Sequence, residues 1–510
     1  MIRIDVLPDD VLLEIFDFYM DTPSSLGRKT ETEAWKSLVH VCRRWRTVVF
    51  GSPRRLNLRL VCSPKTPARD TLDVWPALPL LIQGRITLSS DVDNIIVALG
   101  RTHRVCQVIL WGLADRGLEK ILAAMQVPFP ELTEVGLTSH GGGTPPVVPD
   151  SFLGGSAPHL RIFQLHGVPF PGLPKLLLST THLVYLSLDN IPHSGYVSPG
   201  AMTALLSVLS SLETLHLRFQ SPQSRPDWEI RRPAPPKRFA IPVLERFEFK
   251  GVIEYLEDLV TFIDAPQLDH LLITFFNQID FDCPRLAQFI SHTPILADWY
   301  IHVEFDDSTA SVRLSSPFLN DSVIQISCGE PDWQLSSVAQ VCSSCWPFLS
   351  RAEDLYIEHR YSQLVWKNDA IENALWLELL LPFRRVKNLY LSMEFAPGIA
   401  AALQEIVGTE VLPSLQNIFV EELEPSGPFQ ENIGQFVTAR RHSGHPIAIS
   451  DWVIDSDEGS DEDSDVDSDV DSDVDSDAAF DFGCRLGWSP DSDVDPDVDS
   501  DEDSDGNINY

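Results

Sequence analysis

The chain has 510 residues, of which 44% are hydrophobic, and its formal net charge is −36 at pH 7. This length exceeds what one hydrophobic core usually serves, which favours several domains or an elongated repeat array. The negative charge argues against non-specific binding to nucleic acid or to anionic lipid, because both would repel the chain. We therefore expect neither a nucleic-acid partner nor a membrane partner.

Cysteines and the first residues bear on the cellular compartment. The eight cysteines are scattered without dense spacing, which indicates reduced thiols more than a disulfide framework. Met1–Met20 contains several carboxylates, which a secretory signal does not tolerate. No stretch approaches the roughly 18 to 20 apolar residues of a membrane helix. These features predict a soluble protein of the cytoplasm, the nucleus or both.

The first fifty residues predict a compact helical module. Leu7-Pro8-Asp9-Asp10 has the proline and the carboxylates that suit the first turn of a helix. A second helix is indicated by the capping-box spacing of Thr30–Glu33 ahead of Trp35. Apolar residues recur at helical spacing in both halves: Leu7, Val11, Ile15 and Tyr19, with Leu12 and Phe16 beside them, then Trp35, Leu38, Cys42, Trp45 and Val49. So small a module needs a partner or a docked domain to cover its apolar surface.

The string LPDDVLLEIFDFY…WKSLVHVCRRWRTVV resembles the F-box, which has an LP-acidic start, an LLxxIF helix and a closing LxxVCRxWR helix. The polar insertion Asp21–Thr32 departs from that pattern. An amphipathic helical hairpin that closes the next domain is the alternative. The resemblance implies that ten residues form the core of the module and its face for the Skp adaptor of cullin ubiquitin ligases: Leu7, Pro8, Val11, Leu12, Ile15, Phe16, Leu38, Val41, Cys42 and Trp45.

A weak LxxLxL self-similarity runs through the middle of the chain, at intervals of mostly 23 to 34 residues. The LxL step puts two apolar side chains on one face of a short strand, with the residue between them on the other face. One such unit cannot bury its leucines alone, whereas stacked units form a continuous core. The matches begin at Val105, Leu132, Leu160, Leu183, Leu212, Leu244, Leu268, Leu296, Ala352, Val386 and Leu415, with a degenerate copy at Asp321.

This spacing predicts a leucine-rich-repeat solenoid of parallel strands with helical or irregular returns. The return helices are expected at Met202–Leu209, Tyr255–Phe262, Leu286–Ile290 and Ile399–Ile406. The asparagine that usually follows the strand is mostly missing, so the array resembles the divergent repeats found behind F-boxes. An ordinary α/β domain with proline-led strands is the alternative.

The middle residues of the LxL steps are predicted to face outward and to form a surface that binds a target protein. The last four are aromatic: Tyr300, Tyr356, Tyr390 and Phe419. Exposed aromatic side chains are effective anchors at protein interfaces. The alternative is that the rings stack on each other or lie under a loop.

The motifs that could indicate a metal, phosphate or catalytic site do not have the spacing that such sites need. Cys342 and Cys345 form a single CxxC pair, whereas structural zinc sites usually combine two such half-sites. Gly141–Gly143 precedes no helix signal and has no following lysine, so it predicts a loop and not a phosphate site. No nucleophile elbow or catalytic dyad is present. The sequence predicts a protein that is not an enzyme and has no cofactor, metal or catalytic residue.

The last sixty residues form a low-complexity Ser-Asp-Val-Asp tail. Asp451–Tyr510 holds 24 acidic residues and Arg485, a charge of −23. Charge repulsion and scarce apolar residues predict that this tail is disordered. A polyanion of this kind also suits basic partners such as histones, which gives a second hypothesis: a scaffold or chaperone-like protein that binds basic proteins through the tail.

The predicted fold class is α/β: a small helical F-box, a solenoid and a disordered acidic tail. The predicted boundaries are 1–50 for the F-box, 51–100 for a segment that connects it to the solenoid and caps the first repeat, 101–450 for the solenoid, and 451–510 for the tail. The predicted function is substrate recognition in a Skp–cullin–F-box ubiquitin ligase, with the Skp adaptor, a cullin behind it and an unidentified target protein as partners.

Overall fold

The computed structural model is a mixed α/β structure with one large, mostly parallel sheet. It describes residues 7–21, 34–141, 143–222, 238–276, 281–293, 300–316, 319–328, 330–344, 349–359, 372–405, 411–423 and 427–452. The predicted α/β class is confirmed at this level. Most of the polar insertion Asp21–Thr32, Leu296, Cys345 and the tail beyond Trp452 lie outside the described residues.

Three helices form the N-terminal helical module, residues 7–51: α1 (Asp9–Asp21), α2 (Trp35–Val41) and α3 (Arg43–Gly51). Cys42 has extended φ and ψ angles, so it ends α2, and its sulfur accepts a hydrogen bond from the Trp45 backbone N–H as the N-cap of α3. The Trp45 ring lies 4.7 Å from the Phe16 ring between centroids, which packs α3 against α1.

The sheet contains sixteen strands within the described residues, in the order β1-β2-β3-β4-β5-β6-β7-β9-β11-β14-β13-β12-β15-β16-β17-β18, and β8 pairs separately with β10. The strands are β1 (Leu60–Cys62), β2 (Leu80–Arg85), β3 (Val105–Leu113), β4 (Glu134–Ser139), β5 (Ile162–His166), β6 (Tyr185–Ile191), β7 (Thr214–Phe219), β8 (Phe239–Ala240), β9 (Arg246–Gly251), β10 (Ile263–Asp264), β11 (His270–Phe275), β12 (Tyr300–Phe305), β13 (Thr309–Ser316), β14 (Leu319–Ser327), β15 (Asp354–His359), β16 (Asn388–Leu391), β17 (Asn417–Glu421) and β18 (Ala448–Trp452).

Helices connect most successive parallel strands. They are α4 (Ala68–Val74), α5 (Ser89–Leu99), α6 (Asp115–Ala124), α7 (Leu173–Leu177), α8 (Pro199–Leu206), α9 (Ile253–Val260), α10 (Pro284–His292), α11 (Pro331–Ser344), α12 (Asn373–Leu380), α13 (Ala396–Gln404) and α14 (Pro428–His442). The four return helices expected from the sequence correspond to α8, α9, α10 and α13, each displaced by a few residues at most.

One row of apolar side chains runs through the sheet from β3 to β17 and carries the core. Its members lie opposite one another in register on neighbouring strands and are all buried, together with the inner faces of the helices. The faces alternate because successive side chains of a strand point to opposite sides. The row consists of Leu110, Leu137, Leu165, Leu188, Leu217, Phe249, Ile273, Ile324, Val312, Val303, Ile357, Leu391 and Val420.

Residues 51–100 extend the sheet to the N-terminal side of the predicted solenoid boundary at residue 101. The segment contains β1, α4, β2 and α5, and β1 pairs in parallel with β2, which pairs in parallel with β3. Leu56, Leu58 and Leu60 are buried at alternate positions. The N-terminal helical module is what lies next to β1: the Trp35 indole N–H donates a 2.9 Å hydrogen bond to the Arg59 carbonyl.

The strand that lies next to β11 in the sheet is β14 and not β12, the next long strand in the sequence. β12, β13 and β14 form an antiparallel meander, in which β13 pairs with both β12 and β14. β14, the last strand of this meander, pairs in parallel with β11. β12 then pairs in parallel with β15 on its other side. The degenerate repeat at Asp321–Ile326 is therefore a full strand, with Ile324 and Ile326 buried beside β11.

The C-terminal edge of the sheet lies slightly beyond the predicted boundary at residue 450. Asp451 and Trp452, assigned to the tail from sequence, belong to β18 and pair with Val420 and Glu421. The chain divides after Ile454 into two units, the second of which is Asp455–Tyr510. None of the described helices has the length and apolar character needed to cross a membrane.

Candidate functional site

The ten residues assigned to the adaptor face from sequence fall into two sets. Leu12 and Phe16 are fully buried and Leu38 is 6% exposed, so these side chains hold the helices together and offer no surface to a partner. Val11, Ile15 and Val41 are 41%, 43% and 59% exposed. Of the rest, Pro8 and Cys42 are exposed, and Leu7 and Trp45 are half-buried.

The outer face of α1 is an apolar surface. Val11, Ile15, Phe18 and Tyr19 are all exposed, and Phe18 the most at 76%. Positions separated by three, four and seven residues share one side of a helix, so these four side chains form a stripe beside the buried Leu12 and Phe16. Phe18 was missed as a candidate, although it lies three residues after Ile15, at a spacing that places it on the same face.

Arginine side chains fix the geometry of the N-terminal helical module. The Arg44 guanidinium donates to the Leu7 carbonyl at 2.5 Å and to Asp9 Oδ1 at 2.6 Å, so α3 holds the start of α1. Arg46 Nε donates to the Val39 carbonyl at 3.1 Å. These contacts give Arg44 and Arg46 an internal structural role.

Three of the four predicted target-binding rings lie in one row across neighbouring strands. Tyr356, Tyr390 and Phe419 are in register on β15, β16 and β17, with ring centroids 4.2 Å and 4.6 Å apart and nearly parallel planes. All three are half-buried. Tyr300 is 40% exposed but lies one row away, because it pairs with Asp354.

His302 takes the place in this row that was predicted for Tyr300. His302 pairs with Tyr356 in register and stacks on it at 4.5 Å. The LxxLxL match at Leu296 is shifted by two residues relative to the strands beside it. Such a shift keeps each side chain on the same face of the sheet and moves it along the strand by one row. We call His302, Tyr356, Tyr390 and Phe419 the aromatic row.

Trp452 was not predicted as part of this surface, because the sequence assigned it to the tail. Its ring centroid lies 5.8 Å from that of Tyr356 and 5.4 Å from that of Tyr390, in edge-to-face geometry. β18 thus carries a tryptophan that leans over the aromatic row. Burial, and then the neighbouring Tyr390, raises the pKa of the Tyr356 hydroxyl. Tyr356 is therefore a neutral hydrogen-bonding group.

An acidic row lies beside the aromatic row, two residues further along the strands. We define it as Glu304, Glu358 and Glu421; Glu304 and Glu358 are paired in register. Burial, and then the nearby Glu394, raises the pKa of the Glu421 carboxyl. On the other side of the aromatic row, Asn388 donates to Asp354 at 2.7 Å and accepts from Asn417 at 2.7 Å.

Within the described residues, one group has three metal-ligand atoms close enough to share an ion: His302, Glu304 and Glu358, with ligand atoms within 4.8 Å of one another. Arg313 Nη2 donates to Glu304 Oε2 at 3.1 Å, so the protein supplies a positive charge to this carboxylate itself. The geometry of this group is explained by the charges of the protein, and we assign no metal to it.

A second polar cluster lies on the same face of the sheet, on β6, β7, β9 and β11, and no sequence motif pointed to it. Glu248, 5% exposed, forms an ion pair with Arg218, and its Oε1 lies 3.3 Å from His216 Nε2 and 3.7 Å from His270 Nε2. Arg218 also pairs with Asp189 at 3.3 Å. Alternation along the strands predicts that His216 and Glu248 lie on the outward face. It does not predict that they lie close to each other.

The cluster shifts the titration of its members. Burial lowers the pKa of His216 to about 4, although the adjacent Glu248 opposes this. Burial by itself would raise the pKa of Glu248, but His270, His216 and Arg218 outweigh it and lower that pKa to about 2. At neutral pH the cluster therefore holds an ionised carboxylate, an arginine and an uncharged His216, which describes a structural ion network.

Cys342 and Cys328 are buried, burial raises the pKa of the Cys342 thiol, and Cys345 lies outside the described residues. The outer face of α1 and the aromatic row are two apolar surfaces within the described residues. No protein-family model matches this chain, and no curated protein is significantly similar to it.

Proposed function

We propose that this protein is the substrate-recognition subunit of a Skp–cullin–F-box ubiquitin ligase. In this proposal the N-terminal helical module is an F-box that docks on the Skp adaptor, and the sheet with its return helices is a divergent leucine-rich-repeat solenoid that holds a target protein. The complex would bring the target to a ubiquitin-transferring partner, so the chain itself needs no catalytic group.

The observation that carries the proposal is the apolar α1 face. A helical module that leaves Val11, Ile15 and Phe18 exposed keeps apolar area in water while its own core is already filled by Leu12 and Phe16. Contiguous exposed apolar surface of this kind is typical of a protein-binding site. Its position within the LP…LLxxIF segment matches the part of an F-box that meets the adaptor.

The strand order supports the solenoid interpretation. From β1 to β11, neighbouring long strands follow each other in sequence and pair in parallel, with return helices packed on the core side. A repeating strand-and-helix unit of roughly 20 to 30 residues with leucines at fixed positions is the pattern of leucine-rich repeats. The antiparallel meander of β12–β14 is an irregular feature of this array.

Capture of a purified Skp adaptor tests the adaptor assignment. Val11→Glu/Ile15→Glu places two charges on the exposed face and leaves the core intact, so we expect adaptor binding to fall at least about tenfold. Leu7→Ala/Pro8→Ala should weaken it by disturbing the start of α1. The matched control is Val127→Glu/Val147→Glu, which makes the same change at residues 46% and 49% exposed in the body of the protein.

The control should bind the adaptor like the wild type. If the wild type captures no adaptor, or if the Val11/Ile15 and control variants bind equally, the adaptor assignment is wrong. Circular dichroism spectra that match the wild type would show that the variants are folded.

The acidic tail favours a second function, in which the chain is a scaffold or chaperone-like protein that holds basic partners. The observation behind it is the charge of −23 between Asp451 and Tyr510. Binding of this kind should be lost when the tail is removed and should weaken strongly with salt, because exposed charges are screened. Partners that persist after tail removal would show that the body is the binding part.

A further inference from the structure

The aromatic row and the acidic row lie side by side on the same face of the sheet. His302 connects them, because its ring stacks on Tyr356 while its Nδ1 lies 3.5 Å from Glu358 Oε1. Both His302 and Glu358 remain about a quarter exposed. A partner that contacts one row therefore also meets the other.

The rings of the aromatic row stack face to face, which determines what they can offer. Tyr356 and Tyr390 are inclined by only 6°, so each ring covers a face of its neighbour and turns its edge outward. Half-buried edges, together with the Trp452 ring, give a rigid surface for aliphatic and aromatic groups, with little conformational entropy to lose on binding.

Negative charge accumulates along the acidic row. Glu304 is neutralised by Arg313, but Glu358 and Glu421 lie near further carboxylates. The raised pKa of Glu421 shows the effect: burial acts first, followed by the charges of Glu394, Glu422 and Glu358. Carboxylates that repel each other in this way are stabilised when positive charge is placed beside them.

We infer that this surface binds an extended segment of the target protein that carries lysine or arginine beside apolar residues. The apolar residues of the bound segment contact the aromatic row. The aliphatic stems of its lysine or arginine side chains cross the aromatic row, so that their charged ends reach Glu358 and Glu421. Such side chains combine an apolar stem with a charged end, which suits two adjacent rows of this composition. The inference rests on the proposed function, in that it names the chemistry of the target that the body recognises.

The size of the surface sets the length of the segment. The two rows and Trp452 together cross five neighbouring strands, β12, β15, β16, β17 and β18. Strands about 4.8 Å apart give this surface a length of about 19 Å, which an extended chain of about six residues covers. The target therefore needs only a short linear segment.

Fluorescence anisotropy with two labelled short peptides tests the inference on the full chain. One peptide alternates leucine with lysine and arginine; the other carries glutamate at the charged positions. We expect the wild type to bind the basic peptide and not the acidic one. Glu358→Gln/Glu421→Gln should weaken this binding about tenfold, since it removes two charges and keeps the side-chain shape.

A matched control separates the surface from the acidic tail. Glu119→Gln/Glu131→Gln removes the same two charges at exposed positions elsewhere and leaves the tail unchanged, so its affinity should equal that of the wild type. A photo-crosslinking amino acid in place of Phe419 should form a crosslink to the basic peptide. This crosslink should disappear when Glu358→Gln/Glu421→Gln is introduced as well.

Three outcomes would overturn the inference. Equal affinity of all variants, without labelling at Phe419, would place the binding of the basic peptide in the tail. Equal binding of both peptides at Phe419 would show a target surface that is indifferent to charge. No saturable binding of the basic peptide would show that the surface does not take such segments. In each case adaptor capture still reports separately on the proposed function.

Discussion

Glu248 shows how one buried carboxylate can organise side chains from several strands. Breaking a buried pair by removing one partner typically costs about 3 to 5 kcal/mol, because the other charge is left uncompensated. Arg218 would be left in that position if Glu248 were neutralised, although Asp189 would still pair with it. The cluster is therefore a point where the stability of the sheet depends on protonation.

At the residue scale, we predict that acidification destabilises the protein through His216. The pKa of His216 is about 4 in the folded state and 6.5 when it is unperturbed. As pH falls below 6.5, His216 becomes protonated in the unfolded chain but stays neutral in the folded protein. The free energy of unfolding therefore decreases between pH 6.5 and about 4. The full loss is about 3 kcal/mol. Denaturant unfolding across this range measures it.

The variant His216→Gln should flatten this part of the stability profile, because it removes the titrating group. His159→Gln changes an exposed histidine and should keep the wild-type profile. A separate loss, through Glu248, is expected from pH 4.5 down to about 2, because its folded-state pKa is lowered. An unchanged slope in His216→Gln would refute the assignment.

At the scale of elements, the aromatic row joins β12, β15, β16 and β17 through side chains as well as through the backbone ladder. Parallel in-register strands place like residues opposite each other, so an aromatic residue at the same repeat position becomes a continuous stack. The stacking gives these rings a structural role in addition to any role in binding a target.

We predict that Tyr356 and Tyr390 are energetically coupled. Tyr356→Ala and Tyr390→Ala should each lower the free energy of unfolding, and the double variant should lose about 1 kcal/mol less than the sum, because the first change already removes the stacking contact. Thermal and denaturant unfolding of the wild type, the two single variants and the double variant give the free energies of this double-mutant cycle. Tyr356→Ala combined with Gln164→Ala, on the distant β5, should be additive.

The same variants separate binding from packing. Loss of target affinity that exceeds the loss of stability would support a target surface at the aromatic row. Lower stability with intact target binding would show that the rings act only within the sheet, and the target assignment of Tyr356 and Tyr390 would be wrong.

For the whole molecule, the two ends of the described sheet differ. At β1 the N-terminal helical module packs through Trp35, whose ring contacts Trp75 and Phe50. Repeat arrays need a terminal element of this kind, because the last repeat has no neighbour on one side. At the other end of the described sheet β18 is the edge strand, and its Trp452 ring contacts Tyr356 and Tyr390 on the face of the sheet.

We predict that the tail contributes charge and not stability. Deletion of residues 455–510 removes 23 acidic residues and Arg485, so the formal net charge changes from −36 to −14. The unfolding free energy of the body should stay within about 0.5 kcal/mol of the full chain, as expected if the low-complexity tail is disordered as its sequence predicts. Ion-exchange elution and denaturant unfolding measure the two effects.

Deletion from Asp451 is the informative comparison. It also removes the end of β18, including the Glu421–Trp452 pairing and the Trp452 ring contacts, so it should lower stability clearly more than deletion from residue 455. Equal stability of the two deletions would show that Asp451 and Trp452 do not belong to the sheet.

The sequence by itself determined the local structure of this protein. The helical spacing of Leu12 and Phe16 and the alternation of leucines along the strands follow from the periods of helix and strand, which depend only on nearby residues. The helical start at Leu7–Asp10, most strand positions, the α/β class and the outward direction of Tyr356, Tyr390 and Phe419 could therefore be predicted.

Tertiary structure decided what depends on which strands become neighbours. The antiparallel meander placed β14 beside β11, the pairing of β12 with β15 put His302 beside Tyr356, and the addition of β18 brought Trp452 over the row. Glu248 acquired its three partners in the same way. A two-residue shift of register leaves the alternation of a strand unchanged, so local pattern cannot reveal it; only the pairing of backbone hydrogen bonds between distant segments fixes it.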